Sequence, residues 1–196
     1  MSFPKILVLA GSIRSRSHNQ RLAALAAKEL TLIDAEVSRV SLHDYSLPLY
    51  DADNEMISGA PADAVKLKRM FSAHQGIFIA SPEYNASISP LLKNVIDWIS
   101  RVRERGEATH TAFRGRAFAI GAASPDAFGG VRGLLALRQV LEVGCGALVI
   151  PEQVAVGNAE NAFDEMDNLK DARLATALNT LARRLVDTAQ QFGGRV

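Results

Sequence analysis

The 196-residue sequence contains one cysteine, Cys145, so it can close no internal disulfide and offers no thiolate cluster for zinc or an iron–sulfur centre. A reducing compartment follows, and the chain is expected in the cytoplasm. Long apolar runs are also missing: the run that begins at Lys5 stops at Gly11, and Met1-Ser2-Phe3-Pro4-Lys5 carries no cleavage pattern of a signal peptide. No membrane association is expected. Nor is there an excess of charge of one sign, since 22 Lys+Arg face 21 Asp+Glu for a formal net charge of +1. That excludes the strongly basic surface of a nucleic-acid binder and leaves a small molecule as the expected partner. His18, His43, His74 and His110 are scattered without ligand spacing, so no metal is expected. Glycine motifs for nucleotides are absent too. Gly11 stands alone where Gly-x-Gly-x-x-Gly needs three glycines, and the Gly-Lys-Ser/Thr ending of a Walker loop is missing, which argues against kinase or NTPase activity.

What is present is the composition of an ordinary globular protein, 48% hydrophobic and 22% charged, enough for one domain over residues 1–196 with a single sizeable core. Strand-length apolar runs recur at Lys5–Ala10, Glu36–Leu42, Gly76–Ala80, Ala117–Ala122 and Ala147–Val156, separated by helix-length segments. This rhythm predicts an α/β three-layer sandwich. Its five-stranded parallel sheet would be built from right-handed crossovers, with the flavodoxin-like strand order 2-1-3-4-5 as the leading choice.

Helix signals sharpen the picture. Ser17 is placed to cap a first helix with Gln20 completing a capping box, and Leu22, Leu25, Ala26 and Leu30 form its inner face. Ser89-Pro90 supplies a cap and a first-turn proline to another helix, where Leu92, Val95, Ile96 and Ile99 recur at helical spacing. In the last helix Leu174, Leu178, Leu181 and Leu185 make a stripe, with Asp164, Glu165 and Asp167 expected near its start. The stretch from His43 to Asp63 reads as a long loop that covers a site or meets another subunit.

Chemistry concentrates in three loops that follow the first, third and fourth apolar runs. In Gly11-Ser12-Ile13-Arg14-Ser15-Arg16-Ser17-His18-Asn19, hydroxyls, guanidinium groups and free backbone N–H groups converge at a helix start, which favours an anion. Ser12, Ser17 and the Asn19 amide can donate to a terminal phosphate, and Arg14 can add a charge-assisted contact. The competing reading is that these residues only cap the helix and face water. In Ser81-Pro82-Glu83-Tyr84-Asn85-Ala86-Ser87, Pro82 restricts the backbone, Tyr84 supplies an aromatic surface, and Glu83 and Asn85 offer polar edges to a ring. Here the alternative is that Tyr84 packs on the sheet edge and Asn85 stabilises a turn. The third loop is Ser124-Pro125-Asp126-Ala127-Phe128-Gly129-Gly130, whose glycines allow close backbone approach. Arg101, Arg103, Arg105, Arg114 and Arg116 form a basic segment, either a solvated face or a contact for a ligand's phosphate or for an acidic patch on another subunit. Cys145 reads as a small buried residue, because no base lies beside it.

Gly11-Ser12-x-Arg14 with Ser17-x-Asn19, then Pro82-Glu83-Tyr84-Asn85-x-Ser87 and Leu92-Lys93-Asn94-x-Ile96-Asp97-Trp98, resembles the NADPH-dependent FMN reductase family, with its quinone and chromate reductase members. The resemblance covers most of the domain. It implies a flavodoxin-like fold with FMN as cofactor, whose phosphate Ser12, Arg14, Ser17 and Asn19 would hold. Pro82, Glu83, Tyr84, Asn85 and Ser87 would border the flavin ring, with Ser124 and Gly129 nearby. It departs from the family's pattern at Ala86, where many members carry glycine or a bulkier residue, and at Ser89-Pro90. The expected activity is hydride transfer from NADPH or NADH to FMN and then to a quinone, flavin or similar acceptor, in a ping-pong cycle, with no catalytic side chain required. A flavodoxin-like electron carrier without nicotinamide turnover is the alternative. The resemblance also implies a homodimer or homotetramer, to which the Leu92–Ile99 helix would lend apolar surface.

Overall fold

A computed structural model describes residues 3–192 of the chain. In chain order the elements are β1 (Lys5–Ala10), α1 (His18–Leu32), β2 (Glu36–Val40), α2 (Ala52–Ser58), α3 (Ala62–Ser72), β3 (Gly76–Ala80), the short strands β4 (Glu83–Tyr84) and β5 (Ser87–Ile88), α4 (Pro90–Arg101), β6 (Ala117–Ala123), α5 (Val131–Gln139), β7 (Leu148–Val156) and α6 (Ala172–Gln190). The five long strands form one sheet in the order β2-β1-β3-β6-β7, and every pairing is parallel. Counted along the chain, that is the expected 2-1-3-4-5.

The sheet is parallel because its central strands are apolar on both faces. All of β3 and β6 is buried, and so is β1 beyond Lys5, which suits strands covered by helices on both sides. Alternate residues then feed two cores. Ile6, Val8 and Phe78 pack with Leu22 of α1 and Leu185 of α6, while Leu7, Ile77 and Phe118 pack on the other face with Phe71 of α3 and Leu92 and Val95 of α4. One core therefore becomes two, split by the sheet.

Several local expectations change in the structure. Ser17 stands at the N-cap of α1 but makes no capping bond, and Gln20 donates to the Ser12 carbonyl at 2.6 Å instead of closing a capping box. The stretch 43–63 is no plain loop, for it contains α2, capped by Asp51, whose carboxylate accepts from the N–H groups of Asp53 and Asn54. Asp171, seven residues beyond Asp164, caps α6. Asp164 instead pins the preceding turn by accepting from the N–H groups of Met166 and Asn168, and Asp167 pairs with Arg21. The apolar stripe of α4 is used inside this chain: Leu92, Val95, Ile96, Trp98 and Ile99 are all buried, so it leaves no apolar surface for another subunit.

Candidate functional site

Parallel sheets bind ligands at the carboxyl edge where the strand order reverses, and here that point lies between β1 and β3. Ala10 pairs with Ala80, and Ala80 with Gly121, so the loops that follow β1, β3 and β6 emerge side by side. They are tied to one another. The Gly11 N–H donates to the Ala80 carbonyl at 2.8 Å, the Ser89 hydroxyl to the Gly11 carbonyl at 2.7 Å, and the Ser81 N–H to the Gly121 carbonyl at 2.7 Å.

Between the loops lies a cleft of about 160 Å³ lined by Ser12, Arg14, Ser17, His18, Asn19, Pro82, Glu83, Tyr84, Ala123, Ser124 and Pro125. Eight of the residues singled out in the sequence meet there. Asn85, Ser87 and Gly129 do not line it. Asn85 and Ala86, both at positive φ (50° and 60°), form the two-residue turn that joins β4 to β5, and Ser87 pairs with Tyr84 across that hairpin. Gly129, at φ 65°, is needed for packing within the chain: a Cβ there would come within 2.7 Å of the Ala155 carbonyl carbon. The close approach expected of this glycine is therefore to the β7 backbone.

Within the cleft the polar groups fall into two sets. The first is committed to the protein. The Asn19 side chain donates to the Ala123 carbonyl at 2.9 Å and accepts from the Ala123 N–H at 3.0 Å, which fastens the start of α1 to the end of β6. Its amide is thus a tie first, contrary to the expectation that it serves a phosphate. Glu83 is likewise occupied, because its carboxylate takes the Arg132 guanidinium at 2.8 Å and the Gly133 N–H at 2.9 Å. It anchors the hairpin to α5 rather than presenting a free polar edge.

The second set has no such commitment. Ser12 accepts the Arg14 N–H at 3.3 Å, which leaves its own hydroxyl proton to donate elsewhere. Ser17, though buried, makes no capping bond with its side chain. Among the described residues the Arg14 guanidinium has no ion pair, and Nδ1 of His18 is enclosed without a hydrogen-bond partner. Burial and the positive charges of Arg14 and Arg21 hold the His18 imidazole below its ordinary pKa, against a smaller opposite pull from Glu160. Sequence reasoning passed His18 over as one imidazole among four. The signal was its place between Ser17 and Asn19, in the first turn of the helix that forms the cradle.

Donors, a guanidinium and a helix start around one small cleft suit the phosphate of FMN, and half-exposed Tyr84 adds an aromatic wall beside it. Such an arrangement has the chemistry to accept an anion and a ring.

Other candidates separate from this cleft. Arg116, half-buried, donates to main-chain carbonyls, among them those of His74, Thr111 and Arg114, and Arg101 pairs with Glu55 at 2.9 Å, so neither belongs to a free basic patch. Burial, with Asp97 nearby, pushes the Cys145 thiol up to about 11. Among the described residues no group of three His, Cys, Asp or Glu could hold a metal, and no helix is long and apolar enough to cross a membrane.

Comparison with known proteins follows the same line. Residues 4–161 match the model of the family described as NADPH-dependent FMN reductase. An NAD(P)H-dependent FMN reductase of Pseudomonas aeruginosa is 36% identical over 169 residues, covering 85% of each chain. A quinone reductase of Escherichia coli is 35% identical over 138 residues, 70% of this chain and 69% of that one. Among solved structures, the flavoenzyme NAD(P)H:(acceptor) oxidoreductase FerB of Paracoccus denitrificans superposes with a TM-score of 0.78 at 24% identity, covering 96% of this chain and 98% of that one. At that identity the likeness speaks for the fold alone.

Proposed function

The chain belongs to the NADPH-dependent FMN reductase family, as an oxidoreductase with FMN as cofactor and NAD(P)H as co-substrate, and from that premise we propose that it reduces a quinone, flavin or similar small acceptor in a ping-pong cycle. When bound, FMN supplies the capacity to take hydride from NAD(P)H and to pass the electrons to a second acceptor. The observation that carries this reading is the set of uncommitted groups, Ser12, Arg14, Ser17 and His18, gathered at the switch point of the sheet.

The roles divide by loop. Ser12, Arg14, Ser17 and the N–H groups of the first turn of α1 hold the phosphate, where the helix dipole adds to their attraction. Pro82 and Tyr84 border the ring on the side of the β4–β5 hairpin, which Glu83 keeps in place through α5. A wall formed by Pro82 and Tyr84 would leave one face of a bound ring open, on which NAD(P)H and the acceptor would take turns. No side chain exchanges a proton or forms a bond with substrate in this scheme, so the protein acts by orientation.

A homodimer or homotetramer is part of the proposal, with a surface other than α4. No residue of α2 is buried, and Leu49, Met56 and Ile57 are each 80% exposed. That patch suits a contact between subunits.

The test is the absorbance spectrum of the purified protein followed by anaerobic addition of NADPH. A flavin spectrum that bleaches before any acceptor is added, and FMN affinity well above that of riboflavin, are expected. Equal affinities for FMN and riboflavin would overturn the phosphate cradle, and a flavin spectrum untouched by NADPH or NADH would favour an electron carrier.

A further inference from the structure

His18 stands in the first turn of α1, on the wall of the cleft between Ser17 and Asn19. Its Nδ1 is enclosed and makes no hydrogen bond with any described residue, an arrangement that native proteins rarely leave without a purpose. The first turn of α1 holds no acidic residue to satisfy it. Three charged groups act on the ring. Arg14 in the loop and Arg21 one turn further on oppose a second positive charge, and Glu160, beyond β7, favours one. Arg21 is itself countered by Asp167 at 2.6 Å, which leaves Arg14 as the cation without a partner among the described residues. Burial and these cations keep the imidazole neutral near pH 7.

A doubly charged phosphate beside the ring reverses that balance, because an anion at short range favours the protonated form. Resting on the FMN reading above, we propose that His18 takes up a proton from solvent when the phosphate of FMN enters the cleft, and then donates a charge-assisted hydrogen bond to it. One proton moves from water to the ring. No bond of the flavin is made or broken. The consequence is that FMN affinity is coupled to pH through one residue that touches the phosphate and takes no part in electron transfer.

The sign of the coupling separates His18 from the phosphate itself. A phosphate monoester loses its second proton near pH about 6, and the dianion binds arginine better, so this ionisation strengthens binding as pH rises. Deprotonation of His18 in the complex weakens it. Above about pH 6.5 the phosphate is largely a dianion and the histidine governs.

The experiment measures dissociation constants of FMN and riboflavin by flavin fluorescence from about pH 6.5 to 8.5, in the wild type and in His18→Gln. Titration calorimetry in buffers of different ionisation enthalpy then counts protons taken up. The wild-type constant for FMN should rise with pH, by up to about tenfold per unit where a whole proton is bound, with uptake seen in the buffer dependence of the heat. Riboflavin should show neither effect, and His18→Gln should bind FMN with little pH dependence and no uptake. A purely structural histidine would not change the proton count. Wild-type uptake that persists in His18→Gln, or wild-type FMN binding without uptake, overturns the inference and leaves the FMN reading standing. No FMN binding at any pH overturns both.

Discussion

Replacing Asn19 by alanine should damage the fold far more than replacing a residue that only contacts the phosphate, because its side chain bridges two elements that are distant in sequence. Asn19 is 3% exposed, and its amide makes two bonds, at 2.9 and 3.0 Å, to the carbonyl and N–H of Ala123. Alanine removes both and leaves two main-chain groups without partners. Each buried orphan costs about 1–3 kcal/mol, so the loss is roughly 2–6 kcal/mol. In a domain of this size, about 2–4 °C per kcal/mol makes that a fall of roughly 4–24 °C in Tm. Arg14→Ala is the contrast. Arg14 is exposed and unpaired in the structure, so its removal should leave Tm almost unchanged while FMN binding loses about 1.5–3 kcal/mol, roughly tenfold to a hundredfold in Kd. Differential scanning calorimetry and FMN titration on the two variants decide the matter. If Asn19→Ala keeps its Tm within a degree or two and loses FMN as Arg14→Ala does, the amide is a ligand and its assignment as a tie is wrong.

Ala86→Gly should stabilise the protein by about 0.5–1 kcal/mol in denaturant titrations, since alanine is held at φ 60° where glycine suffers no steric penalty. A neutral or destabilising result would show that this turn carries no strain. Cys145→Ala should retain turnover with NADPH and a quinone, and the thiol, pushed up to about 11, should resist alkylation near neutral pH in the folded protein; loss of kcat by orders of magnitude in a flavin-loaded variant would contradict this. His74, buried with its imidazole against the Met70 carbonyl, has its pKa lowered from 6.5 chiefly by burial. The folded state therefore binds this proton less readily than the unfolded chain, so stability is fully present above pH 6.5 and is lost as pH falls through the lowered value. Denaturation midpoints that do not fall between neutral and mildly acidic pH, or that fall equally in His74→Gln, would remove His74 as the cause. Initial-rate kinetics with NADPH and a quinone should give parallel double-reciprocal lines; intersecting lines would mean that both substrates bind together.

The sheet was legible because its central strands β1, β3 and β6 are apolar runs too short for helices, as parallel strands buried on both faces are. The hairpin of β4 and β5 escaped notice because each strand has two residues and its turn uses Asn85-Ala86 in place of the usual Asn-Gly. Helix α2 was hidden for a different reason: with none of its residues buried it has no inward face, and inward faces are what periodicity detects. The site shows the same limit. Residue type at positions 12 to 19 indicated an anion cradle, but which polar groups remain free depends on partners far away in sequence, such as Ala123 for Asn19 and Gly133 for Glu83. Local pattern cannot reveal a partner a hundred residues off.

That division between committed and uncommitted groups explains how a cleft on three loops stays rigid enough to bind. Loops ordinarily lose entropy when a ligand fixes them, and that loss is subtracted from affinity. Here the fixing is done beforehand: Ser89 holds Gly11, Asn19 holds Ala123, and Glu83 holds Gly133, so each loop is tied to another element by a bond that needs no ligand. The groups left over are those with charge or donor capacity to give, and they face a cavity whose shape is already set. Removing a tie should therefore weaken binding even though the tie never touches the flavin, and it should do so through order in the loop. The signature is thermodynamic. Asn19→Ala, wherever it remains folded, should bind FMN with a larger unfavourable entropy than the wild type, while Arg14→Ala should lose chiefly favourable enthalpy. The same entropy in both variants would mean that the loops are ordered by the ligand and that the ties contribute only to stability.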